Sequence, residues 1–205
     1  MSKKKDTFVS FRIASLSTRM SKFSPINVIR KFLENSAECS KIIYPNDNQV
    51  DFDYSVKKNS FIKTNCYEIP DLEKNTTILA IVDCIIVFVD LEFEDSLSAL
   101  ESIVNVIINK GNKANKVYVI GVYNKVGNIQ EELQEEKFNE LLDSKKLFYE
   151  YLEVCIELNL ELEKIFEKII KDFAKDKEET NQYCDKHREQ NLRDDDNSGS
   201  GCTIV

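Results

Sequence analysis

Two rhythms of apolar and polar positions take turns along this chain. Thr7–Ser15 (TFVSFRIAS) alternates or runs apolar and predicts a strand. A polar stretch, Leu16–Lys22, follows without a glycine. Ser24-Pro25 predicts a helix start, with serine as the cap and proline at the first helical position. Ile26, Ile29, Phe32 and Leu33 then keep helical spacing, with Val28 alongside. Ser36–Asn48 is polar and irregular and is expected to form a loop.

The second rhythm returns at Gln49–Ser55, where Val50, Phe52 and Tyr54 alternate with Asp51 and Asp53. This is the pattern of a half-buried strand at a sheet edge. Lys57-Lys58-Asn59 turns it into a second strand, Ser60–Tyr67, so the two read as a hairpin. Pro70–Thr77 is polar, with room for a short helix. Leu79–Leu91 holds the strongest strand signal, continuous and β-branched, as expected where both sheet faces are covered. Glu94–Asn109 is amphipathic through Leu97, Leu100, Ile103, Val104 and Ile107, and Gly111 marks its end. Lys116–Tyr123 predicts another buried strand, Ile129–Leu142 a charged surface helix, Leu147–Cys155 a strand and Asn159–Ala174 a helix. Strands alternating with helices predict an α/β domain: a mostly parallel six-stranded sheet, one antiparallel edge strand, and helices on both faces.

Composition narrows the chemistry. The 205 residues fit one domain with a tail, and 42% hydrophobic residues suffice for a core. Residues 1–6 form a basic extension with Lys3, Lys4 and Lys5, residues 7–175 the domain, and 176–205 an acidic tail expected to be disordered. Lys+Arg of 28 against Asp+Glu of 36 gives −8, which argues against a nucleic-acid partner. His187 is the single histidine, so His-based metal sites and Ser-His-Asp triads are not expected. The cysteines at 39, 66, 84, 155, 184 and 202 contain no C-x-x-C pair, which argues against zinc and dithiol chemistry. No secretory signal opens the chain, and its longest apolar run, Ile85–Val89, is too short to span a bilayer. A cytosolic protein with reduced thiols is the expectation.

Several phrases, in order, resemble the Ras-like small GTPases. Asp83-Cys-Ile-Ile-Val-Phe-Val-Asp90 with Glu94-Asp-Ser-Leu97 resembles the strand leading to that family's third helix. Val119-Ile-Gly-Val-Tyr-Asn-Lys125 resembles the strand that delivers the guanine-reading N-K-x-D motif. Glu153–Glu157, followed by Asn159 to Ile169, resembles the S-A-K strand and the final helix. Cys202-Thr-Ile-Val205 has the form of a prenylation box. The resemblance implies a P-loop NTPase-like fold over residues 7–174.

Measured against that family's chemistry, the chain departs in a consistent direction. The phosphate loop G-x-x-x-x-G-K-[ST] needs bare backbone to approach an anion. Aligned on the lysine, this chain reads Leu16-Ser-Thr-Arg-Met-Ser21-Lys22-Phe23: Lys22 is kept, both glycines are replaced, and Phe23 has no oxygen for Mg²⁺. All five glycines lie at or after position 111. The switch-I equivalent, Ser36–Asn48, has no threonine, and Lys63–Asp71 (KTNCYEIPD) has neither D-x-x-G nor the water-orienting glutamine. Asn124 and Lys125 match the base motif, but Gly127 stands where a carboxylate should accept guanine's donors, and Glu157 replaces the S-A-K lysine.

The resemblance therefore implies a prenylated small-GTPase-like interaction module in trafficking or signalling, with lost or very weak GTP binding and hydrolysis. No cofactor and no catalytic residue are expected. Its protein partners would use the switch-equivalent loops, Ser36–Asn48 and Pro70–Thr77. A prenyl transferase would modify Cys202, placing the protein on the cytosolic face of a membrane. The 176–205 tail, with eight acidic against four basic residues (net −4), adds no electrostatic anchor, so the association should be weak and reversible. The alternative is a divergent but active GTPase that binds GTP or GDP with Mg²⁺ through Lys22, Asn124 and Lys125. A soluble α/β domain of another family is a third reading.

Overall fold

Continuous apolar runs become the centre of a sheet. In the computed structural model, described for residues 7–18, 24–57, 60–72, 74–93, 95–110, 116–123, 131–145, 149–155 and 161–177, the elements follow in the order β1 (Thr7–Ser17), α1 (Pro25–Asn35), β2 (Cys39–Asn46), β3 (Gln49–Lys57), β4 (Ser60–Glu68), α2 (Thr76–Leu79), β5 (Cys84–Asp90), α3 (Ser96–Lys110), β6 (Lys116–Tyr123), α4 (Glu131–Ser144) and β7 (Tyr149–Cys155). Residues 161–177 are helical. The chain divides into two compact units, Met1–Glu167 and Lys168–Val205. In the second unit the described residues 168–177 are helical, with Ile169, Ile170 and Phe173 buried and Lys168 bonded to Asp172 one turn on.

The seven strands stand in the order β2-β3-β4-β1-β5-β6-β7. β1 pairs in parallel with β4 and β5, β5 with β6, and β6 with β7. β3 alone runs against its neighbours, β2 and β4. The α/β class, the mostly parallel sheet and the β3–β4 hairpin agree with the sequence reading. The strand count does not: the described residues form seven, because part of the expected loop Ser36–Asn48 is strand β2. The antiparallel strand is accordingly second from the edge. The reason lies in burial. Residues 40–46 of β2 are exposed on both faces, so no face selects apolar residues and the period-2 signature disappears. The strand expected within Leu79–Leu91 is β5, and Leu79 lies before it. Leu79 ends α2, fully buried, and the strand begins at Cys84.

Every residue of β5 is buried, as its unbroken apolar run requires. Alternate residues face opposite layers. Ala14, Leu16, Ile85, Val87, Val89, Val117 and Val119 join α3 (Leu100, Val104, Ile107) and α4 (Phe138, Leu142) in one core. On α1, Ile26, Ile29, Phe32 and Leu33 are buried, and Phe32 stacks on Phe166 at 4.8 Å and meets the edge of Phe52 at 6.3 Å. Each such side chain contributes about 1.5–3 kcal/mol by leaving water. Gly121 in β6 marks a close approach. A Cβ there would lie 2.7 Å from the Tyr151 hydroxyl and 2.8 Å from a Leu91 methyl.

Candidate functional site

In a doubly wound sheet, ligands bind outside the carboxyl ends of the strands, where successive connections leave in opposite directions. Here that place lies at the end of β1, which has β4 on one side and β5 on the other. β1 runs to Ser17, beyond the Thr7–Ser15 expected from the sequence. Leu16 pairs with Val87 and Ser17 with Phe88. The Thr18 N–H then donates to the Phe88 carbonyl at 3.0 Å. Leu16, which the sequence reading aligned with the first glycine of a phosphate loop, is therefore a core strand residue, 2% exposed. Thr18 is buried, and its Oγ1 accepts the Asp90 N–H at 3.4 Å. Asp90, buried at the end of β5, accepts the Glu92 N–H through Oδ1 at 3.0 Å.

The head of α1 is built as the Ser24-Pro25 pair predicts. Helix α1 begins at Pro25 with Ser24 as its extended cap residue. The Ser24 hydroxyl makes no capping bond to its own helix. It donates to Glu68 Oε2 at 2.6 Å instead, and the same oxygen accepts the Ile26 N–H at 3.2 Å. Glu68 is the last residue of β4. Asp71, the carboxylate nearest the missing D-x-x-G, is engaged locally: its Oδ2 pairs with Lys74 Nζ at 2.8 Å.

Lys22, Asn124, Lys125 and Cys202 lie outside the described residues, as do Lys3, Lys4, Lys5, Phe23, Gly127, Glu157, Cys184 and His187. β6 ends at Tyr123, immediately before Asn124 in the chain. Among the described residues, no three His, Cys, Asp or Glu side chains are grouped so as to hold a metal ion. Leu16 is built into the core and Glu68 lies on the head of α1, while residues 19–23, the rest of the segment aligned with a phosphate loop, lie outside the described residues. Three described thiols, Cys39, Cys66 and Cys84, are not poised for nucleophilic work. Burial pushes Cys66 and Cys84 well above the ordinary thiol range. Cys39 is pushed up to about 11, chiefly by burial and also by Glu38 and Glu163, against a lowering hydrogen bond with Ser36.

The second distinctive region is β2. Ile42, Ile43 and Tyr44 are large apolar residues left in water, Ile43 at 59% exposure. The Arg30 guanidinium of α1 sits 4.8 Å over the Tyr44 ring. Lys41 adopts φ 50, and its ammonium reaches the buried Asp53 carboxylate at 2.8 Å. Pairing with β3 shifts register between Ser40 and Ile43 and again before Asn46. Sequence reading missed both the Ser24–Glu68 contact and this strand. The run Ile42-Ile43-Tyr44 inside a polar stretch was the available signal for β2. Nothing local marks Glu68.

No helix among the described residues is long and apolar enough to cross a membrane. No protein-family model matches the chain, and no curated protein sequence matches it.

Proposed function

We propose that the chain is a prenylated, membrane-associated interaction module on a small-GTPase-like scaffold, acting in trafficking or signalling, with GTP binding and hydrolysis lost or very weak. One observation carries the loss of nucleotide: Leu16 is a buried strand residue, paired with Val87, where a phosphate loop needs bare backbone. The strand order, with β1 between the hairpin strand β4 and the parallel run β5-β6-β7, supports the scaffold. Partner contact falls to the switch-I equivalent, where β2 holds Ile42, Ile43 and Tyr44 in solvent. Exposed apolar side chains gathered on one element mark interaction surfaces. Membrane contact falls to a prenyl group on Cys202, one chain giving marginal, reversible binding.

Denaturing release of bound nucleotide, followed by chromatography, tests the reading. The purified protein should release no GTP or GDP, and millimolar nucleotide with Mg²⁺ should leave its melting temperature unchanged. Stoichiometric nucleotide would overturn it and establish the divergent GTPase. One feature favours that second reading: β6 ends at the carboxyl edge directly before Asn124 and Lys125.

A further inference from the structure

A guanidinium carries its N–H donors in one plane and accepts nothing, so it needs oxygen atoms around its edge wherever water is excluded. Arg30 of α1 lacks them. Its Nε is buried and has no hydrogen-bond partner among the described residues. Buried polar groups almost always have one, so an orphan of this kind marks something missing. Among the described residues no carboxylate forms an ion pair with Arg30 either. What the guanidinium does meet is the Tyr44 ring of β2, whose centre lies 4.8 Å away. A ring face holds a cation in place but supplies no lone pair to its N–H groups. Lys41, the cation on β2 itself, is already paired with Asp53 at 2.8 Å. Around this point Ile42, Ile43 and Tyr44 stand exposed. Arginine and tyrosine are the residues enriched at the energetic centres of protein interfaces, and a charge there is matched by one of opposite sign.

We propose that Arg30, held over Tyr44, is the docking point for a partner's carboxylate, so that the Ile42–Tyr44 surface takes a protein segment carrying Asp or Glu beside a large apolar side chain. This rests on the reading of β2 as the partner surface and states the chemistry of the partner. Arg30 is only half-buried as a whole, so its guanidinium can be reached from solvent. A carboxylate arriving there gains charge-assisted bonds without displacing an existing ion pair. A basic side chain would leave Arg30 unmatched and add a like charge. With the chain at −8, the overall field does not draw an acidic segment in, so the preference is local and is read at contact.

The test is display selection of short random peptides against the full chain, with the winners synthesised and their affinities measured by calorimetry. Peptides enriched by wild type should carry Asp or Glu next to a large apolar residue. Arg30→Gln should weaken their binding by about tenfold or more, and Arg30→Lys, which keeps the charge but not the planar fork, by less. Replacing the peptide's acid by its amide should weaken binding to wild type and cost little further with Arg30→Gln, a coupling that a merely structural arginine does not show. Tyr44→Leu removes the ring beneath the guanidinium, should weaken the same peptides, and keeps the test open if Arg30→Gln does not fold. The proposal fails if the winners are basic or uncharged, if acidic winners bind Arg30→Gln as tightly as wild type, or if selection returns nothing. Winners whose binding Ile43→Asp leaves unchanged sit elsewhere; they would overturn the reading of β2 as the partner surface and the proposal with it, so the two failures are distinguishable.

Discussion

Leu16→Gly puts a glycine where the proposed resemblance would have the first one of a phosphate loop, and its outcome separates a loop from a core. Leu16 is 2% exposed, packs with Val87, Val89 and Ala14, and pairs with Val87 in the sheet. Truncating a buried leucine to alanine costs about 2–5 kcal/mol through lost burial and the cavity left behind. Going on to glycine inside a strand costs about 0.5–1 kcal/mol more. The expected loss is therefore about 3–6 kcal/mol, a large share of the roughly 5–15 kcal/mol typical of a domain. Urea unfolding followed by circular dichroism reads it as a lower midpoint, or as a variant already unfolded in buffer. Added GDP and Mg²⁺ should restore nothing. A variant within about 0.5 kcal/mol of wild type, the range of an inert surface position, or one newly stabilised by GDP, would show that residue 16 belongs to a nucleotide-binding turn and that the reasoning is wrong.

Gly121→Ala should cost about 1–3 kcal/mol in chemical denaturation, because its methyl overlaps the Tyr151 hydroxyl and Leu91. A double variant with Tyr151→Phe should recover part of that loss. Ile43→Asp should leave stability within about 0.5 kcal/mol while reducing surface hydrophobicity in dye binding; a large stability loss would show that the residue is packed. Cys202→Ser should move the protein out of the membrane fraction of cells with active prenylation, and an unchanged distribution would refute the lipid anchor. For Cys39 the folded thiol is raised from 9.0 to about 11, so the folded state keeps its proton where the unfolded chain has lost it. Its contribution to stability is intact below pH 9 and is lost as pH rises through about 11. Cys39→Ser should flatten the decline in urea midpoint over that window.

The sheet's centre was legible because burial on both faces leaves only apolar residues, as in Ile85–Val89. Helix α1 was legible at its start and along its face, since Ser24-Pro25 and the spacing of Ile26, Ile29, Phe32 and Leu33 each reflect a local rule. β2 was hidden because its residues answer to no buried layer, and being a strand there depends on β3. The Ser24–Glu68 contact was hidden for a different reason. It joins residues 44 apart through the parallel register of β1 and β4, which brings Glu68 level with Ser15. Pairwise contacts of that kind leave no period in a sequence. The motif comparison located the loop that lacks glycine, but not how far strand pairing extends into it.

The irregular build of β2 decides how a neighbour can use it. A sheet ending in a flat row of free amides invites other chains to join it, which is how sheets spread into aggregates. Pro45 removes one of those amides, and the twice-shifted register with left-handed Lys41 bends the row out of line. Another strand therefore has no continuous rail to zip onto. A neighbour must grip the projecting Ile42, Ile43 and Tyr44 side chains by shape. The margin can thus remain sticky to one fitted surface without polymerising with every extended peptide it meets.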